Sequence, residues 1–201
     1  EKAFDRPQSI QIKGAEEADT DAVALLNSHF TASNKGVKVV IGERGDKAVK
    51  KFVNQIPDKV EGYYIRVAED QVVVAGNDEA GTYYGVQTLM QLLSQPEVMK
   101  AEIKDWPDVL ERGVVEGFYG NPWSHKDRLR QFEFYGKNKL NVYIYGPKDD
   151  PYHRNQWRDP YPADEALRIS ELAKAAAENK VDFVWAMHPG GDIQWNEEDL
   201  K

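Results

Sequence analysis

Lys148, Asp149 and Asp150 stand side by side in the block Tyr145-Gly146-Pro147-Lys148-Asp149-Asp150-Pro151-Tyr152-His153. An ammonium donates to hydroxyl groups, and paired carboxylates are the residue type that acid/base chemistry uses. Neighbouring residues at the end of an extended segment point in different directions, so the two aspartates read as structural rather than as a catalytic pair. Lysine beside two acids also reads as a surface ion cluster of little energetic weight. A second block, Val115-Glu116-Gly117-Phe118-Tyr119-Gly120, places two glycines at the end of an apolar run. Glycine there permits a tight turn, or a close backbone approach that a side chain would block. The third block runs from Trp185 to Asp192 and offers His188 as a general base. A histidine beside proline in a turn is more commonly a hydrogen-bonded structural residue, and His188 is read so. His29 falls on an apolar helical face and is expected in the core. His125 belongs to a first helical turn and His153 to a loop. Acidic turns at Glu16-Glu17 and at Glu43 and Asp46 carry oxygen ligands of the kind hard cations take, although solvated charge is their default reading. The sequence has no EF-hand loop, HExxH, GxSxG or phosphate loop.

The elements that must position these blocks change character along the chain. In the first half, strands are predicted at Ser9–Lys13, Val37–Ile41, Gly62–Ala68 and Gln71–Ala75, the last two as a hairpin. Helices are predicted over Asp19–Phe30 and Gly81–Ser94, with a short one carrying Val49, Phe52 and Val53. This is a small α/β unit. The polar, proline-bearing stretch Ala101–Leu110 marks a boundary, set at 105/106. The second half reads as strand Gly113–Gly117, helix Ser124–Gly136 with Ser124 as N-cap and Asp127 in a capping-box position, strand Leu140–Tyr145, helix Ala163–Asn179 and strand Val181–Met187. Such β-α-β-α-β order means parallel strands with crossover helices. All three blocks sit where these strands end, the face on which barrel enzymes build their sites. A further helix is expected to start at Asn196-Glu197-Glu198. Three strands cannot close a barrel, so the polypeptide is expected to be a truncation. Its open edge is a surface through which two copies could pair as a homodimer. No internal repeat is evident.

Composition narrows the function classes. With 201 residues and a net charge of -8, the chain lacks the clustered Lys and Arg that a nucleic-acid partner requires. Cysteine is absent, which excludes disulfides, thiol catalysis and zinc–thiolate sites. No apolar run reaches the length of a membrane span, and no signal peptide stands at Glu1. Aromatic residues crowd the second half, as they do in carbohydrate-binding clefts and in ordinary cores.

Taken in order, Arg112–Trp123, Asn141–His153 and Val181–Gly190 resemble the opening of the catalytic domain of family-84 glycoside hydrolases, the O-GlcNAcase type of β-N-acetylglucosaminidase, and the first half resembles the α/β domain that precedes it in Bacteroides-type members. The resemblance implies a hexosaminidase-type α/β domain over 1–105 and the first three βα units of a (β/α)8 barrel over 106–201. It implies removal of terminal β-linked N-acetylglucosamine with retention, the substrate's 2-acetamido oxygen acting as nucleophile through an oxazoline. The two consecutive aspartates of that mechanism would follow a fourth strand, so they would lie beyond residue 201 and this piece alone would be inactive. Carried onto this chain, the family pattern marks the Gly117 backbone and the Lys148 side chain as contacts to sugar hydroxyls, with Tyr119 as a pocket wall. It implies no cofactor for catalysis and a structural calcium ion at Glu17, Glu43 and Asp46. Partners would be glycans or glycoproteins bearing N-acetylglucosamine, and the protein would be a bacterial export with its signal peptide removed. Two other readings stay open: a non-catalytic carbohydrate-binding or interaction module, and a family-20-type hexosaminidase.

Overall fold

The computed structural model describes residues 3–95 and 97–199. The chain divides into two compact units, Glu1–Leu110 and Glu111–Lys201. The expected boundary at 105/106 coincides with the end of a strand, and residues 106–110 are connector without regular structure.

The first unit contains, in chain order, β1 (Phe4–Asp5), β2 (Ser9–Lys13), α1 (Thr20–His29), β3 (Thr31–Ala32), β4 (Val37–Glu43), a 3-10 turn (Lys50–Phe52), β5 (Tyr63–Val67), β6 (Gln71–Gly76), α2 (Glu79–Leu93), β7 (Glu97–Val98) and β8 (Ala101–Asp105). Six of these strands form one sheet in the order β3-β2-β4-β6-β5-β8, and β1 pairs with β7 in a separate ribbon. The hairpin β5–β6 is antiparallel as predicted, while β3, β2, β4 and β6 run parallel. Both faces of the central strands are covered, which is why β4 and β6 read as continuous apolar runs instead of alternating. Val39, Ile41, Val72 and Val74 join Leu26, Val86 and Leu89 of the helices in one core. Val40, Val73, Ala75 and Tyr64 pack the other way, on Val49, Phe52 and Ile56. Each helix starts on an aspartate: Asp19 accepts from Ala22 N at 2.9 Å, and Asp78 accepts from Gly81 N at 2.7 Å. The other oxygen of Asp78 accepts from Glu61 N at 2.8 Å, tying the start of α2 to the entry of the hairpin.

Two expectations are corrected in this unit. Ala101–Asp105 is an edge strand, not a boundary loop, with Ile103 opposite Ile65. Tyr63 OH donates to Asp105 at 2.5 Å, which anchors it. His29 is exposed rather than in the core: its ring meets Ser28 Oγ and Leu25 O at the helix end.

The second unit holds β9 (Gly113–Glu116), α3 (His125–Lys137), β10 (Val142–Tyr145), α4 (Ala163–Glu178) and β11 (Asp182–Trp185). The strands are parallel in the order β11-β10-β9. Register sets Glu116, Tyr145 and Trp185 side by side, and Val115, Ile144 and Val184 likewise. Successive residues point to opposite faces. One face, with Val114, Tyr143, Tyr145 and Phe183, packs under Phe132, Tyr135, Leu172 and Ala176 of the helices. The row Val115–Ile144–Val184 belongs to the other face, where Val115 is 59% and Val184 42% exposed.

Both helices stop in the same way. After α3, Lys139 takes φ 59°, Lys139 N donates to Gly136 O, and Leu140 N donates to Tyr135 O. After α4, Lys180 takes φ 56°, Lys180 N donates to Ala177 O, and Val181 N donates to Ala176 O. Each is a Schellman closure with lysine in the left-handed position. Asn138 and Asn179 reinforce it by donating from Nδ2 to the carbonyls of Phe134 and Ala175. Asn-Lys-apolar-Asn/Asp before β10 and β11 is therefore a short repeat that sequence reading missed. The helix expected from Asn196 is a turn over 197–199 in the described residues, with Asn196 Oδ1 accepting from Glu198 N and Asp199 N at 3.0 Å each.

Candidate functional site

The carboxyl ends of β9 and β10 bring two of the singled-out blocks together. Gly146 N donates to Glu116 O at 3.1 Å, so the chain leaves both strands in register, with Gly117 beside Gly146. A Cβ built on Gly117 would meet nothing nearer than Val115 Cγ1 at 3.5 Å and Gly146 O at 3.8 Å. That is ordinary contact, so the fold itself does not demand glycine there. Gly120, with φ 118°, is the one that makes the turn. Lys148 is exposed, and its Nζ lies 5.8 Å from the centre of the Tyr119 ring. Tyr119 is itself 87% exposed. Gly117, Tyr119 and Lys148 thus share one rim.

Beneath the Gly117 turn lies a buried ion pair that sequence reading missed. Glu116, 1% exposed, accepts from Arg128 Nε and Nη2, both at 2.8 Å, from Trp123 N at 3.2 Å and from Tyr143 OH. Removing a carboxylate from water this far is tolerable only with such complete pairing. Burial alone would lower the Arg128 pKa, but the bonds and charge of Glu116 outweigh it and hold the guanidinium above its ordinary value. Burial, then Glu116, likewise pushes up Tyr143, which stays a neutral donor. The one available signal was a glutamate in the inward phase of an apolar strand, which calls for a cation.

Asp150 has a comparable role after β10. Its Oδ2 accepts from Tyr145 OH at 2.9 Å and Tyr161 OH at 2.7 Å, and its Oδ1 from Tyr152 N at 2.8 Å and His153 N at 3.2 Å. Tyr161 OH in turn accepts from Trp185 Nε1 at 2.9 Å, which reaches β11. Asp149 is exposed, so the two aspartates are not a matched acid/base pair. His153 is buried, its Nδ1 meeting Ala186 O. His188 is exposed and its N donates to His153 O at 2.9 Å. His125 leaves the first turn of α3 to meet Glu171 at 3.0 Å. A cavity of about 600 Å3 opens on the helix side of the same strand ends, lined by Trp123, Arg128, Tyr145, Asp150, Tyr161 and Leu172 among others. Neither Gly117 nor Lys148 lines it.

The acidic turns of the first unit bond to their own main chain. Glu17 Oε2 accepts from Lys47 N at 3.0 Å, Glu43 Oε1 from Asp19 N at 3.0 Å, and Asp46 Oδ2 from Glu43 N at 2.7 Å. Each carboxylate thus accepts from a main-chain N–H. Among the described residues, no three His, Asp or Glu side chains are grouped so as to hold a metal ion. Burial, offset by bonds from Thr82 and Asp19 and joined by repulsion from Asp46, pushes the Glu43 carboxyl up to about 6. No helix among the described residues is long and apolar enough to cross a membrane.

Comparison with known proteins assigns the two halves separately. Residues 1–106 match the family model described as glycosyl hydrolase family 20, domain 2, and residues 112–201 match the one described as beta-N-acetylglucosaminidase. Protein O-GlcNAcase of Rattus norvegicus is 45% identical over 84 residues, 42% of this chain and 9% of that protein. A beta-hexosaminidase of Porphyromonas gingivalis is 27% identical over 177 residues, 82% of this chain and 22% of that protein. The solved structure of CpGH84B is 41% identical and superimposes with a TM-score of 0.86 over 100% of this chain and 37% of that one. CpGH84D, at 26% identity, gives a TM-score of 0.84 over 99% of this chain and 38% of its own. The chain therefore spans well under half the length of each of these relatives.

Proposed function

We infer function from membership: this chain belongs to glycoside hydrolase family 84, the O-GlcNAcase-type β-N-acetylglucosaminidases, and carries its small α/β domain with part of its catalytic barrel. The protein of which these residues are part removes terminal β-linked N-acetylglucosamine from glycans or glycoproteins. The acetamido oxygen of the substrate attacks its own anomeric carbon, the glycosidic bond breaks, and a carboxylic acid delivers a proton to the departing oxygen. Water then opens the oxazoline at the same carbon and gives a proton back to that carboxylate, so configuration is retained.

In this reading, the residues of this chain bind rather than transfer protons. The Gly117 carbonyl and the Lys148 ammonium hold sugar hydroxyls, and the acid and its partner are two aspartates outside residues 1–201. The observation that carries the reading is the parallel pairing of β9 with β10, which presents Gly117 and Lys148 on adjacent strand ends, at the face where barrel enzymes bind substrate. Room for a Cβ at Gly117 supports it, because a fold that does not need the glycine leaves close ligand approach as the reason for it.

Hydrolysis of an aryl β-N-acetylglucosaminide tests both parts. The 201-residue chain should give no turnover above buffer, and turnover would put the acid within it. In the full-length protein, Lys148→Ala should raise KM, since an interaction made equally with substrate and transition state is expressed there. An unaltered KM and kcat would remove Lys148 from the site.

A further inference from the structure

We propose that Asp150 is a positioning residue that sets the place of the Lys148 ammonium; the inference rests on the reading of Lys148 as a substrate contact. Pro147, Lys148, Asp149 and Asp150 form a four-residue turn, closed by Asp150 N donating to Pro147 O at 3.2 Å. Lys148 occupies its second position, and its Nζ lies 5.8 Å from the centre of the Tyr119 ring. An exposed lysine on a free loop would spread over many rotamers, and ordering it on binding would oppose affinity. The far corner of the turn is held instead. Two donors on one oxygen come from tyrosines on β10 and before α4, and two on the other come from the main chain that follows. Four donors converge on a single carboxylate only two residues from the lysine.

The anchors themselves are rigid. Tyr145 is 7% exposed and lies under Arg128, whose guanidinium carbon is 5.1 Å from its ring centre. Tyr161 packs on Tyr152, with ring centres 4.6 Å apart and planes tilted by 44°, and receives Trp185 Nε1, so the turn is tied to β11 as well. Gly146, just before the turn, is hemmed by His153 Cε1 at 3.3 Å and Ala186 Cβ at 3.4 Å from where its Cβ would be. Asp150 therefore transmits the geometry of two strand ends to the backbone from which Lys148 projects.

The test is a double-mutant cycle in the full-length protein, read as kcat and KM for an aryl β-N-acetylglucosaminide. Asp150→Ala should lower kcat/KM by roughly 10- to 100-fold, the scale of misplacing a binding group by about an ångström, mostly through KM. Asp150→Asn should restore most of this. Its oxygen still accepts from the two main-chain N–H groups, and its amide donates to hydroxyls that can turn to accept. In a Lys148→Ala background, Asp150→Ala should cost no more than about twofold further, because the effect runs through the lysine. Full additivity in the double variant overturns the proposal, as does an unaltered kcat/KM in Asp150→Ala. If Lys148→Ala is itself silent, the underlying site reading fails and this inference with it, an outcome distinct from additivity. Should Asp150→Ala not fold by circular dichroism, Tyr161→Phe runs the same cycle: a smaller loss that vanishes without the lysine supports positioning, and one that persists overturns it.

Discussion

The first unit sandwiches its sheet, and the second leaves one side of its sheet open. Around β4 and β6, apolar residues of both phases find partners, so every apolar position in VKVVIGE and QVVVAG is used. In the second unit only one phase is used. Tyr143 and Phe132 are fully buried on the helix side, whereas Val115 and Val184 of the other row stay 59% and 42% exposed and Ile144 is half-buried. Polar chemistry follows the same division. Carboxylates of the first unit cap helices and pin turns at its margins. In the second unit two carboxylates at strand ends, Glu116 and Asp150, each gather several donors.

The largest effect that would sharpen this contrast is at Arg128. Arg128→Ala leaves Glu116 buried without its cation and should destabilise the second unit by about 3–5 kcal/mol, read from urea unfolding. A loss under 1 kcal/mol would mean that Glu116 is not held as described. Next comes Leu26→Ala in the first unit, where the side chain is 0% exposed, with an expected cost of about 2–5 kcal/mol. Val115→Ala is its counterpart on the open row and should change the stability of the 201-residue chain by no more than about 0.5 kcal/mol. The same change in the full-length protein should cost several-fold more if further strands cover that face. Equal effects in both lengths would break the comparison.

Smallest is a pH effect confined to the first unit. Glu43 has a folded pKa of about 6 against an ordinary 4.5, so the folded chain binds the proton more tightly than the unfolded one. Its contribution is fully present below pH 4.5 and lost as pH rises through about 6. Glu43→Gln should abolish that loss, so the melting temperature of the variant should gain on the parent chain between those values. Parallel melting curves would refute the assignment.

Strong apolar periodicity made the main strands and helices of both units legible in the sequence, along with Ser124 as an N-cap and the neighbouring ends of β9 and β10. What escaped had weak local signals. Strand β8 reads Ala-Glu-Ile-Lys-Asp, and an edge strand needs only one inward apolar residue to pair. Two-residue strands such as β1 and β7 have no period at all. His29 followed an apolar stripe by spacing, but its neighbour Phe30 takes the core position and the His29 ring turns back to Ser28 and Leu25. Glu116 was missed, and the donors of Asp150, itself read as structural, were not named, for another reason. Arg128 and Tyr161 stand only 12 and 11 residues from their carboxylates, but on a different element, and periodicity within one element does not show which side chains meet across a turn.

The twin lysines that end α3 and α4 have a consequence for engineering. Each holds a left-handed backbone that glycine adopts without steric cost, so the pattern offers two equivalent sites for thermostabilisation at Lys139 and Lys180. Because each closure lies at the amino end of a strand, away from the rim, a designer could harden the scaffold there without touching recognition.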